Sequence, residues 1–398
     1  MTLEYRFYLH FMMSNRWFKL LLFTVLICIA GTGSVQAQKK GEKKDSVKSR
    51  NGTFMELPII TYSPETSLRL GAISIYFFRF KNAPEGTQLS TIKLPINYTL
   101  KNQIKVRLSY EIFLNDNNHI FKGVAEWIKF PLLFWGIGNN TPEANEEIYT
   151  TRTMTFDFNY LAKVKPNFFL GTRYVRQDSK ISEVDEDGLL IQEGLIPGNE
   201  GAVTSGLGII ARYDKRDNNF NATTGPYIQG NLTTYQSWLG SDFEFTKLQF
   251  DLRHYIQTFQ DRHVLAFNIL AEHNWGNPTF ETMALLGGDQ IMRGHYLGRF
   301  RDNTMLAGQM EYRLPLGRKS WIDEREKLPF WERWGLVGFV GFGNVAPSVS
   351  NLGFDHLKSS WGFGFRYAAR SKERLNIRID FGFGTQNPGF YLNFRESF

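Results

Sequence analysis

From Glu56 onward the chain alternates between apolar and polar residues, segment after segment. In LNIRIDFGFG, Leu375, Ile377, Ile379, Phe381 and Phe383 share one parity, opposite Asn376, Arg378, Asp380, Gly382 and Gly384. In LAFNILAEHNW, Leu265, Phe267 and Ile269 oppose Ala266, Asn268 and Glu272. Successive side chains of a strand point to opposite faces, so a period of two gives one apolar and one polar face. Helical spacing is absent, apart from one candidate short turn in IDEREKLPFWER, residues 322–333.

Sixteen such segments can be counted along the chain. They are roughly 56–62, 67–80, 88–100, 103–114, 119–130, 148–161, 166–178 and 202–214 in the first half. The second half adds 226–238, 243–258, 262–274, 303–316, 334–344, 359–370, 374–384 and 389–398. About ten alternating residues with aromatics at the ends suit a membrane β-strand, whereas sandwich strands are shorter. The expected fold is all-β: a 16-stranded antiparallel transmembrane β-barrel over residues 56–398, without an internal linker.

The connections sort by length. With both termini periplasmic, the odd-numbered connections face outward. FPLLFWGIGNNTPEANEE is then the third outward loop, RQDSKISEVDEDGLLIQEGLIPGNEG the fourth, and the sixth carries GGDQIMRGHY. Most of the opposite set are short: KNAPEG, NDNN, KVKP, FQD and SKE. KRDNNFNATTG and GRKSWIDEREKLPFWER are the exceptions.

No apolar run reaches the length of a spanning helix. The longest, Leu20 to Gly31, follows Arg16 and Lys19 and precedes the small-x-small site Val35-Gln36-Ala37, so residues 1–37 read as an export signal. The only cysteine, Cys28, lies within that core, which leaves no disulfide and no cysteine-based metal site in residues 38–398. Of the formal net charge of +7, residues 1–37 hold +2 and residues 39–50 hold +4, leaving +1 for residues 51–398. Residues 38–55 are expected to be a basic periplasmic tail. A near-neutral body gives no support to nucleic-acid binding.

The segment from Trp275 to Asp302 has neither strand nor helical periodicity. Loops this long are uncommon and usually functional. Over the whole barrel, about 340 residues, the chain resembles the BamA/TamA-type superfamily of outer-membrane assembly proteins, the bacterial surface antigen barrel, and the resemblance rests on several separate stretches. They are LPIITYSPETSLRLGA (57–72), FPLLFWGIGNNT (130–141), YDKRDNNFNATTGPY (213–227) and MRGHY (292–296), in which His295 separates Gly294 from Tyr296. The resemblance implies that loop six folds back into the lumen and that Arg293 pairs with acids on the inner wall. Arg293, Gly294 and Tyr296 would form the tip. By parity Glu311 and Asp380 are the candidate partners, because Gly341 stands where the family carries an aspartate. Without such partners, Arg293 would be a solvated loop-tip residue.

Asp214, Arg216 and Asp217 are expected to pin a periplasmic turn; two acids alone do not make a metal site. Phe398 has Phe394, Leu392 and Phe390 on its parity, with Glu396 breaking the pattern, and the ending resembles the signal read by barrel-assembly machinery. Family members of the assembly type carry periplasmic POTRA domains, and residues 38–55 are too few to fold as one. The expected function is assistance to the insertion, assembly or translocation of client polypeptides, with a separate periplasmic partner. A passive pore or structural surface antigen is the alternative. Catalysis is not expected: no Gly-x-Ser-x-Gly elbow or zinc spacing occurs, and His254 and His263 fall near strand ends. No cofactor is implied.

Overall fold

The structure, a computed structural model, describes residues 52–398 other than 64–66, 85, 100–102, 193–194, 260–262, 318–328, 371–373 and 385–387. The expected export signal and most of the basic tail lie outside the described residues, as does most of the candidate turn at 322–333. The described part of that turn is a short 3-10 turn, Phe330–Arg333.

The strands are β1 (Gly52–Ser63), β2 (Ser67–Phe78), β3 (Ser90–Thr99), β4 (Ile104–Leu114), β5 (His119–Phe134) and β6 (Glu147–Lys165). Next come β7 (Phe168–Ser182), β8 (Gly201–Asp214), β9 (Gly225–Tyr235), β10 (Phe245–Thr258), β11 (His263–Gly276) and β12 (Ala284–Leu286). The last six are β13 (Phe300–Asp302), β14 (Thr304–Pro315), β15 (Trp334–Ala346), β16 (Lys358–Arg370), β17 (Leu375–Phe383) and β18 (Gly389–Phe394). All but β12 and β13 form one 16-stranded antiparallel sheet in chain order. The sheet curls on itself: Glu111 of β4 meets Arg395, beyond β18, at 3.4 Å. Among the described residues no ladder joins β1 to β18, although Met55, Leu57 and Phe394 pack on one apolar cluster.

Parity explains the two faces. On β14, Leu306 and Met310 are 46% and 38% exposed, whereas Ala307, Glu311 and Arg313 are buried. So many exposed apolar side chains would be a liability in water, but they are the expected outer surface in lipid. Hydrogen bonding between neighbouring strands of the sheet also satisfies their backbone amides, as hydrocarbon requires. Trp238, Trp275 and Trp361 project near one rim, and Phe259 and Trp331 near the other. Aromatic side chains of this kind suit the two membrane interfaces. Asn115, Asp116 and Asn117 close a tight turn at φ of 49°, 53° and 62°, left-handed values that short polar side chains tolerate.

Three boundaries differ from the sequence reading. The barrel begins at Gly52, so residues 52–55 are strand rather than tail. The final strand stops at Phe394; Arg395, at φ 83°, turns the chain inward. The segment after Trp275 is not wholly irregular. Its three-residue strands β12 and β13 are too short to show a period.

Candidate functional site

Loop six, between β11 and β14, rises from the β12–β13 ribbon. Its apolar side chains Leu286, Ile291, Met292 and Phe300 pack on Met305, Ala307 and Val345 of the inner wall. Full burial of such a side chain contributes roughly 1.5–3 kcal/mol, which holds the loop against the sheet. Gly294, at φ 109°, passes so close to β17 that a Cβ would stand 2.4 Å from the Phe383 carbonyl carbon. Across the contact, a Cβ on Gly382 would stand 2.6 Å from the Arg293 carbonyl carbon. Only two glycines let these backbones touch.

This contact delivers Arg293 to the wall. Its side chain is fully buried. One Nη donates to Asp380 Oδ2 at 2.5 Å and the other to Glu311 Oε1. The guanidinium lies over the Phe339 ring, 3.6 Å from its centroid. Arg313 Nε donates to the second Glu311 oxygen at 3.0 Å. Arg366 donates from Nη1 to Asp380 Oδ1 and from Nε to Glu396 Oε2, the latter at 2.5 Å. Glu396 in turn lies 3.9 Å from Arg313, which closes a ring of alternating charge: Arg313, Glu311, Arg293, Asp380, Arg366, Glu396. Each buried charge therefore has opposite neighbours on two sides. A buried ion needs that to offset several kcal/mol of desolvation.

Arg293, Gly294, Glu311 and Asp380 are thus brought together. Tyr296 is not: it is 37% exposed and meets Trp135 of the third outward loop edge-on at 5.6 Å. His295 takes the interior place instead, with Nε2 2.9 Å from the Ser359 carbonyl oxygen. Burial, with Arg299 and Lys358 nearby, holds its imidazole below the usual value, against the pull of that bond. At Gly341, a Cβ would meet Met292 Sδ at 3.1 Å. The loop methionine occupies the room an aspartate would need, and the acid stands on β17 instead.

Sequence reasoning missed Arg366, Arg313 and Glu396 as members of the ring. Arg313 and Arg366 lie on the inner parity of their strands. Glu396 carried one signal, the break in the final alternation. Residues 395–398 fold inward, and Ser397 Oγ donates to the loop-six carbonyl oxygens of Asp289 and Gln290 at 3.1 and 2.9 Å. Phe398 is off the strand, buried with Ala222, Tyr255, Val264 and Ala266, and Phe394 is the last residue of β18.

In the turn between β8 and β9, Asp214 accepts from Arg216 Nε and Nη2 at 2.9 and 2.6 Å. Asp217 stands apart from that pair. It accepts from the Thr223 and Thr224 amides at 2.8 and 3.0 Å and pairs with Arg374. Burial opposes its ionisation, but the Thr223, Thr224 and Arg374 bonds outweigh burial and hold the carboxyl below its usual range. Two separate ion pairs, rather than one cluster, shape the turn.

The model of the Omp85 superfamily domain matches residues 86–396. No curated protein matches the chain. Among solved structures, the chain is similar to BamA from Haemophilus ducreyi lacking POTRA domains 1–3, at 13% identity and a TM-score of 0.55, over 87% of this chain and 69% of that one. CdiB from Acinetobacter baumannii is 10% identical with a TM-score of 0.51, over 86% of this chain and 58% of its own. CdiB from Escherichia coli is 10% identical with a TM-score of 0.52, over 88% of this chain and 62% of its own. The chain thus spans less than two thirds of either CdiB, and the likeness concerns the fold.

Proposed function

Because the chain belongs to the Omp85 superfamily, we propose that its barrel assists the insertion, assembly or translocation of other polypeptides at the bacterial outer membrane. The observation that carries the reading is the pair of end strands: β1 and β18 share no ladder among the described residues. Unpaired edge groups can template an incoming strand, because main-chain hydrogen bonds supply affinity whatever the client's side chains. The six-residue β18 leaves a short edge opposite the twelve-residue β1. Both termini of the barrel then face the periplasm, on the side of the short turns, and client recognition falls to a separate periplasmic partner. In this reading Arg293, Glu311 and Asp380 lock loop six within the lumen while the β1 and β18 edges receive the client strand.

A photo-reactive residue at Leu57 of β1 or Leu392 of β18, in intact cells, tests the proposal. Polypeptide adducts, with loss of particular outer-membrane or exported proteins on gene deletion, are the expected result. Adducts to lipid alone, an unchanged outer-membrane proteome, and conductance that grows when loop six is deleted would instead identify a passive pore.

A further inference from the structure

A second charged region lies inside the barrel, near the turns at 115–118 and 215–224, and among the described residues its charges do not balance. The Tyr227 ring, on β9, is surrounded by three guanidiniums: Arg212 at 5.7 Å, Arg216 at 4.3 Å and Arg253 at 5.0 Å from its centroid. Arg216 is held by Asp214 and Arg253 by Asp251. Arg212 is only 4% exposed, and its one hydrogen bond among the described residues is from Nε to the neutral Gln229, at 2.8 Å. Across the lumen, Glu111 lies opposite Lys122 in the β4–β5 ladder and meets Arg395 at 3.4 Å. Lys122 lies within electrostatic reach of Glu111, Arg212, Arg395 and Arg253, and Lys93 within reach of Arg395, Glu111 and Lys122. Neither lysine has an ion pair among the described residues, and the buried Nε of Arg395 has no acceptor there.

Among the described residues, six cations (Lys93, Lys122, Arg212, Arg216, Arg253 and Arg395) thus face three carboxylates (Glu111, Asp214 and Asp251). The neighbouring pairs Arg173–Asp157 and Arg374–Asp217 neutralise themselves. A largely buried guanidinium whose nearest carboxylate is shared among several cations, as Glu111 is here, is poorly compensated, and clustered like charges raise that cost. We propose that this chamber binds a polyvalent anion bearing phosphoryl groups, whose oxygens accept from Arg212, Lys93 and Lys122 together. Phosphoryl oxygens suit this donor set because guanidinium forks and point-like ammoniums both engage them. The inference does not depend on polypeptide assembly; it requires only the barrel.

The test uses the full chain in phosphatidylcholine nanodiscs, with inorganic pyrophosphate as the probe. Saturable, one-site binding by calorimetry is expected, weakened at least tenfold in Lys93→Gln/Lys122→Gln, which leaves the buried Arg212 in place. Heat-modifiable migration of the variant establishes that it is folded. A readout on the unaltered chain is protection of Lys93 and Lys122 from an amine-acetylating reagent. Protection by free pyrophosphate identifies a soluble anion, whereas protection only on adding phosphatidic acid identifies a lipid headgroup. Protection by neither, or equal binding by the variant and the unaltered chain, overturns the proposal.

Discussion

Arg293 shows how one side chain can organise a loop. Its two carboxylates come from strands β14 and β17, separated in the sheet by β15 and β16, so the guanidinium couples four neighbouring strands to loop six. Removing one partner of a buried ion pair costs about 3–5 kcal/mol because the other is left uncompensated. Arg293→Ala should therefore expose loop six to protease while the outer strands stay protected, and limited digestion in detergent reads both. His295 gives a pH test. Its imidazole is depressed below the ordinary value near pH 6.5, so an opened loop takes up a proton before the closed one does. Loop protection is then full above about pH 6.5 and falls as pH drops below it. Hydrogen exchange of residues 287–299 at pH 8 and pH 5 should show the difference, and His295→Gln should flatten it. Parity alone placed Glu311 and Asp380 on the inner wall. Parity could not rank Arg313 and Arg366 above other inward polar residues, because their roles depend on which strands the curled sheet brings opposite. The exchange of His295 for Tyr296 was equally hidden, since one residue of loop path decides which side chain enters.

Elements were legible wherever they were long enough to repeat. The alternation in β10, β11 and β14 fixes both faces, and their boundaries fall within two residues of the sequence reading. The three-residue β12 and β13 offer no period, so tertiary contact with the inner wall creates them. The final segment read as strand to Phe398 because Phe390, Leu392, Phe394 and Phe398 share parity, yet Arg395 takes a left-handed turn. The acid that broke the pattern is the reason: Glu396 accepts from Arg366 and from Asn376 Nδ2, the latter at 2.8 Å, bonds that an outward strand could not make. Glu396→Gln removes one charge from the ring. Hydrogen bonds to charged groups contribute about 1.5–3 kcal/mol, so amide exchange in residues 287–292 should quicken roughly tenfold to a hundredfold. Exchange in β5 and β6, far from the ring, should not change. A smaller structural contact is tested by Gly382→Ala, whose methyl would displace the Arg293 backbone and reproduce the loop phenotype of Arg293→Ala with every charge intact.

At the scale of the molecule, a lipid-facing shell of apolar side chains surrounds a charged interior. The outer shell follows from composition and period, which is why fold class was readable without coordinates. The interior is not periodic. It depends on a loop folding back across a lumen, and sequence spacing says nothing of how far the loop reaches. The account therefore rests on loop six being seated inside the barrel, and one residue measures this directly. Met292, near the loop tip, is fully buried against the inner wall, with its Sδ 3.7 Å from Ser360 Oγ of β16, so a thiol introduced by Met292→Cys should be shielded in native outer membranes. The expected result is no labelling by a bulky maleimide until the barrel is unfolded. A thiol that labels readily in the folded barrel would contradict the account.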